Sequence, residues 1–359
     1  MNYHIIPTKP HDASLMIRTT TAASIVPTIS NSFFNSIPNI KSQFNITYLA
    51  KQHNMSDEDI IHMMKINDIY GFLSEVVCPD FAAKHGMGEV FNNSFFTRVE
   101  VLSTCDLLQP MQSATANHKI LYIGNDYSSF SHVVAYMLPR HPPAVTHILP
   151  IRLRDPTWFE YVNNIPTSKQ SALIYVDACA NTPTYPPTYL MFLLKTLAII
   201  LACQEKNGSV VIKIGALYFK PILDVLFVLS GKYTNMHIMR PFVSEDTDTR
   251  FVVFTKLLSR PIALDNLITS ANAAKSTIPP EIIYSVTDYE MSHYFANKIE
   301  ECNLLIGQKN VEQYDSLMMM IKNSSKESRC ESAKKTSIMR CVYWCEKNNI
   351  PTNATLTDR

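Results

Sequence analysis

The stretch KILYIGNDYSSFSHVVAYML, Lys119 to Leu138, decides how the rest of the chain is read. ILYI is an uninterrupted apolar run. Gly124, Asn125 and Asp126 form a turn, and SSFSHVVAYML places apolar residues at helical spacing up to Pro139. A buried strand, a turn at glycine and then a helix form the opening unit of a Rossmann-like nucleotide domain. The turn holds one glycine where a cofactor loop usually has two or three. It specifies a fold and leaves the ligand open.

The same alternation continues downstream. AVTHILPI is a second strand, and SALIYVDA a third, apolar up to Asp177. YLMFLLKTLAIILACQEKNG reads as a helix ended at Gly208, SVVIKIG as a strand and YFKPILDVLFVLSG as a helix. NMHIMRPF and TRFVVFTKLL read as two successive strands. Continuous apolar runs mark strands buried on both faces. Their alternation with helices predicts an α/β fold built on a mostly parallel, doubly wound sheet. The last two strands predict an antiparallel hairpin at one edge.

The flanks read differently. Residues 1–45 are rich in Ser, Thr, Asn and Pro, and predict an irregular or disordered arm. SDEDIIHMMKINDIYGFLSEV predicts a helix capped by Ser56, with Asp57, Glu58 and Asp59 near the positive end of its dipole. Beyond Pro261 the pattern turns helical: DYEMSHYFANKIEECNLL, VEQYDSLMMMIKN and SAKKTSIMRCVYWCEKNN, with SSKESRCESAKK as a charged linker. The expected organisation is one domain over 46–355, with its core at 95–260 and a helical extension at 261–355. The apolar face of IMRCVYWC is expected to offer a patch to another subunit.

Composition bounds the function. The 359 residues are 46% hydrophobic and 18% charged with a net charge of +1, so a dominant basic surface is excluded and any nucleic-acid site must be a local patch. Eight cysteines form no CxxC pair, which predicts reduced, structural thiols in a cytosolic protein. The first residues lack a basic start followed by an apolar run, so no secretory leader is expected. The most apolar segment, YLMFLLKTLAIILACQ, is short of the ~20 residues of a span and carries Lys195. No membrane partner is expected.

Charged residues at the ends of buried strands carry the chemistry. Asp177 ends one strand, Lys213 lies near the end of the next, and Asp248 precedes the last. Open α/β sheets bind ligands outside the carboxyl ends of their strands, so this spacing predicts an acid, an amine and an acid on one rim. A lysine within VVIKIG is costly to bury unless it is paired. Desolvation and a neighbouring cation make a neutral amine available to such a site. A neutral amine can take the proton of a ribose hydroxyl.

These residues resemble the RrmJ/FtsJ-type 2′-O-methyltransferases. The resemblance extends to the poxvirus family of cap-specific 2′-O-methyltransferases that also serve as the small, stimulatory subunit of poly(A) polymerase. It runs from about Phe95 to Pro351 and rests on ILYIG, RDP at Arg154, Asp177, Lys213 and DTRF at Asp248. DYEMSHYFANKI at Asp288, YDSLMMM at Tyr314 and NNIPTNAT complete it. It implies S-adenosyl-L-methionine as cofactor, capped mRNA as substrate and the poly(A) polymerase catalytic subunit as heterodimer partner. The implied location is the virion and host cytoplasm.

The resemblance also implies roles. Lys213 matches the general base, and Asp177 the acid that positions donor and amine. Arg98 stands where the family has a lysine, and Asp248 where it has a glutamate, with Glu245 as a rival. Tyr218 matches one ring of the cap clamp and Glu290 its acid; the second ring falls to Phe81 or Tyr70. The donor site would use Tyr122, Gly124, Arg152 and Asp177, with Ser128 where a second glycine is usual. Pro150 stands where an acid normally ends the second strand, with Asp126 and Asp155 as substitutes. Two further readings stay open: a degenerate module that binds capped RNA and stimulates the polymerase, and an unrelated Rossmann-like interaction protein.

Overall fold

The computed structural model describes residues 2–11, 13, 15–21, 25–29, 36, 39–40, 45–84, 93–112, 118–140, 142–149, 170–177, 187–215, 217–243, 249–258, 282–324 and 327–353. The strands are β1 (Asn2–Ile6), β2 (Leu15–Thr20), β3 (Lys119–Gly124), β4 (Ala144–Ile148), β5 (Ser171–Asp177), β6 (Gln204–Ile214), β7 (Tyr233–Arg240), β8 (Arg250–Leu257) and β9 (Ile282–Thr287). The helices are α1 (Ile46–His53), α2 (Asp57–Asn67), α3 (Leu73–Val76), α4 (Pro79–Lys84), α5 (Asn93–Thr104), α6 (Tyr127–Met137), α7 (Pro187–Cys203), α8 (Lys220–Ser230), α9 (His293–Lys322) and α10 (Glu327–Lys347).

Alternation along each strand sets the layers. Leu121, Ile123, Ile174, Val176, Val210 and Ile212 face one core, shared with α7 and α8. Ile120, Tyr122, Leu173, Tyr175 and Val211 face the other, shared with α5, α6 and the end of α10. Both faces are covered, so the strands are apolar on both sides. A satellite core joins α1 and α2 to α9 through Leu49, Ile60, Met63, Leu317 and Ile321. Ser56 caps α2, and Asp59 closes a capping box back onto the Ser56 backbone.

The seven-stranded sheet has the order β1-β7-β8-β6-β5-β3-β4. β3 pairs in parallel with β4 and β5, and β5 with β6. β8 runs antiparallel between β6 and β7. The sheet is therefore α/β and mixed, and not mostly parallel. From β3 the chain passes through α6 to β4 on one side, then returns to β5 on the other side of β3. The carboxyl ends of β3 and β5 form a topological switch point, where Gly124 pairs with Asp177.

Several expectations change. The β7–β8 pair is antiparallel as read, but it is not an edge, because β1 pairs antiparallel with β7 outside it. Residues 1–45 are thus not an arm alone: β1 closes the main sheet, and β2 pairs with β9 in a two-stranded sheet. β9 is itself a strand in the extension read as helical. α7 ends at Cys203 and not at Gly208, because Gln204 already pairs with Ser171 of β5. The two helical runs after Asp288 are one helix of 30 residues, and α10 takes up most of the presumed linker. The apolar face of α10 is in the second core, with Cys341, Val342, Trp344 and Cys345 buried. Burial pushes the thiols of Cys341 and Cys345 up to about 12, which leaves them as packing groups. Among the described residues, no helix is long and apolar enough to cross a membrane.

Candidate active site

Three elements converge on the switch point. Asp177 ends β5, Lys213 sits one residue from the end of β6, and Arg98 comes from the middle of α5. α5 is buried across most of its length, from Phe95 to Leu102, which carries its arginine into the protein. The Arg98 side chain is 3% exposed and that of Asp177 8%.

The burial is tolerable because the charges are matched. Arg98 Nη2 and Nε donate to Asp177 Oδ2 at 2.6 and 3.0 Å. Arg98 Nη1 donates to Asp126 Oδ2 at 3.0 Å, and Nη2 also reaches the Tyr122 hydroxyl at 3.3 Å. Lys213 Nζ takes the other oxygen, 3.2 Å from Asp177 Oδ1. One carboxylate thus stands between two cations. Burial drives the Asp177 carboxyl up, but Arg98 and then Lys213 outweigh it, so its pKa is lowered overall. Burial opposes the charge of Arg98, and Asp177 more than restores it.

Lys213 differs from the sequence expectation in its setting. Its side chain is 31% exposed at the rim and is not sealed inside the strand. It is paired on one side and open to solvent on the other.

The glycine of the turn has a local cause. A Cβ at Gly124 would lie 2.4 Å from the Tyr122 hydroxyl, two residues back on the same face. Tyr122 is fully buried, with its ring stacked on Phe130 at 4.4 Å. It packs in the core and meets the site through its hydroxyl and through its ring, over which the Arg98 guanidinium lies at 5.8 Å. Asp126 caps α6 by accepting from Ser129 N at 3.3 Å, and Ser128 is exposed on the first turn.

No protein-family model and no curated protein matches the chain.

The cap residues fare differently from the rim. Tyr218 is 5% exposed and packs in the first core, while its carbonyl accepts from Thr28 N and Ile29 N. Its ring is packed among the side chains of that core. Phe81 is likewise buried, edge-on to Tyr136. Tyr70 is half-buried and tilted against Phe242 at 6.1 Å. Glu290 is exposed just before Ser292, the N-cap of α9. Asp248, Glu245, Arg152, Pro150 and Asp155 lie outside the described residues.

Two features escaped the sequence reading. His147 of β4 has its Nε2 2.7 Å from the Gly124 carbonyl, and its ring stacks on Tyr127 at 4.7 Å. Both rings are half-buried beside the carboxyl end of β3. Glu100, buried two residues beyond Arg98, accepts from Phe242 N and Val243 N. The signal for it was present: FFTRVEVL holds two opposite charges in an otherwise apolar helix.

Proposed function

We propose that this rim is the catalytic centre of an S-adenosylmethionine-dependent 2′-O-methyltransferase acting on capped RNA. The observation that carries the reading is the Arg98–Asp177–Lys213 clamp at the topological switch point. Lys213 Nζ, after its ammonium gives up a proton to solvent through its exposed side, is the group that takes the proton of a ribose 2′-hydroxyl. Asp177 fixes the amine through Oδ1, and Arg98 keeps Asp177 ionised through Oδ2. Arg98 stays protonated and acts as a positioning residue, not as a base.

The described residues fit the donor on its polar side. The Asp126 carboxylate is 40% exposed in the turn after β3 and suits ribose hydroxyls, and the Tyr127–His147 pair suits an adenine ring. S-adenosylmethionine bound there would supply an electrophilic methyl group. The cap would need rings other than Tyr218.

One observation favours a second reading. The space that Gly124 leaves is taken by Tyr122, and not kept for a ligand backbone approach. A degenerate module that binds capped RNA and stimulates a poly(A) polymerase catalytic subunit accommodates this. Calorimetric titration with S-adenosylhomocysteine, with and without cap analogue, separates the two. The enzyme reading expects saturable binding and methyl transfer to capped RNA that Lys213→Met abolishes with the fold intact. Methylation retained in Lys213→Met removes the lysine from the mechanism.

A further inference from the structure

A cleft of about 510 Å³ opens at the end of β7, walled by the end of α2, the residues after β7, the middle of α9 and α10. That volume suits a ligand of nucleotide size. Its walls are tied together. Asn67 Nδ2 donates to the Gln313 carbonyl at 3.0 Å, and Ser337 Oγ to the carbonyls of Asp68 and Ile69 at 3.2 and 3.1 Å. Arg240 Nη2 donates to Gln313 Oε1 at 3.4 Å.

Phe242 is 40% exposed on one wall, yet its backbone is anchored by a buried group. Its N–H donates to both oxygens of Glu100, at 2.9 and 3.1 Å, and Val243 N donates to Oε2 at 3.1 Å. Tyr70 backs the ring. Arg240, Lys309 and Arg340 line the same cavity against the carboxylates of Asp68 and Glu312, three cations against two acids. An exposed, rigidly mounted ring beside guanidinium and ammonium donors is the pairing that reads a base and a phosphate together.

We propose that this cleft binds a nucleotide unit, with its base on Phe242 and its phosphate on Arg340 and Lys309. Met239 pairs with Phe251, and Phe251 with Lys213, so the cleft starts two strands along the rim from the amine. Two strand spacings are roughly 10 Å. The unit has two sources: a free nucleotide, or an RNA strand lying along the rim. The second source rests on the proposed function, and the first does not.

Fluorescence anisotropy of the full chain with a labelled, uncapped oligouridylate, competed with AMP, tests this. Binding displaced by AMP identifies the free nucleotide as a ligand, and binding that resists AMP identifies the strand. In either case Phe242→Ala is expected to weaken binding roughly 5- to 150-fold, the range for loss of one base–ring stack, and Phe242→Trp to restore it. Arg340→Gln should reduce the slope of log affinity against log salt by about 0.7 for the oligonucleotide. If Phe242→Ala fails to fold, Phe242→Leu removes the ring and keeps the volume. Two results overturn the proposal: neither probe binds the parent up to millimolar concentration, or a folded ring-less variant binds as the parent does. Methyl transfer by the same variants is scored separately, so failure of the cleft is distinguishable from failure of the rim.

Discussion

Replacing Arg98 by glutamine isolates the electrostatics of the rim. The guanidinium contacts Asp177 twice, Asp126 once and the Tyr122 hydroxyl once, from a side chain only 3% exposed. Glutamine keeps much of the stem but no charge. Asp177, itself 8% exposed, is then left with Lys213 as its one cation among the described contacts. Removing one partner of a buried pair costs about 3–5 kcal/mol, because the remaining charge stays desolvated. For 359 residues that corresponds to a Tm lower by roughly 4–7 °C. The loss should depend on pH, with a definite sign. The folded pKa of Asp177 is depressed in the parent, so its stabilisation is full above the unfolded value, about 3.9, and is lost as pH falls through the folded value. In Arg98→Gln, burial dominates and the carboxyl takes up a proton more readily. The gap between parent and variant should therefore be widest near neutral pH and narrow toward pH ~4. Urea denaturation followed by circular dichroism at several pH values measures it. A gap under about 1 kcal/mol, or one that does not change with pH, refutes the account of a carboxylate held between two cations.

Other expectations follow from single contacts. Gly124→Ala should destabilise the protein by about 1–3 kcal/mol, the usual cost of overpacking, because the added methyl meets a Tyr122 ring stacked on Phe130; a denaturation midpoint equal to the parent's would contradict this. Asp224 is fully buried and accepts from Lys220, Ser285 Oγ and Val286 N, so it pins β9 to α8. Asp224→Ala should cost ~2–4 kcal/mol and speed hydrogen exchange in 282–287 ahead of β5. Burial lowers the pKa of His4 on β1 and of His237 on β7 from the ordinary value of 6.5. Their contribution is full above that value and lost as pH falls through the lower folded values, so the protection of β1 amides relative to their intrinsic exchange rates should fall on acidification below about pH 6.5. Unchanged β1 protection across that window would count against the pairing.

The local features were legible because they are written in neighbouring residues. ILYI, LIYV and VVI announce strands buried on both faces, and Ser56 with its acidic first turn announces a helix start. Asp177 and Lys213 stood out as charges at the ends of such runs, and the structure brings them to 3.2 Å. Arg98 was reached only through the family resemblance, and its contact with Asp177 joins residues 79 apart.

What the sequence by itself determined is the alternation of elements and the positions of charge along it, since hydrophobic period and capping act over one or two turns of chain. What only the tertiary structure decided is where those elements meet. The segment NYHII, within the stretch read as an arm, became a strand because the far side of β7 offered it an unpaired ladder. The α7–β6 boundary moved to Cys203 because Gln204 found a partner in β5. Tyr218 was drawn under the main chain of residues 28 and 29, and Phe242 was held outward by Glu100, 142 residues away. Each of these outcomes depends on which surface arrives opposite a residue, and no local pattern carries that information.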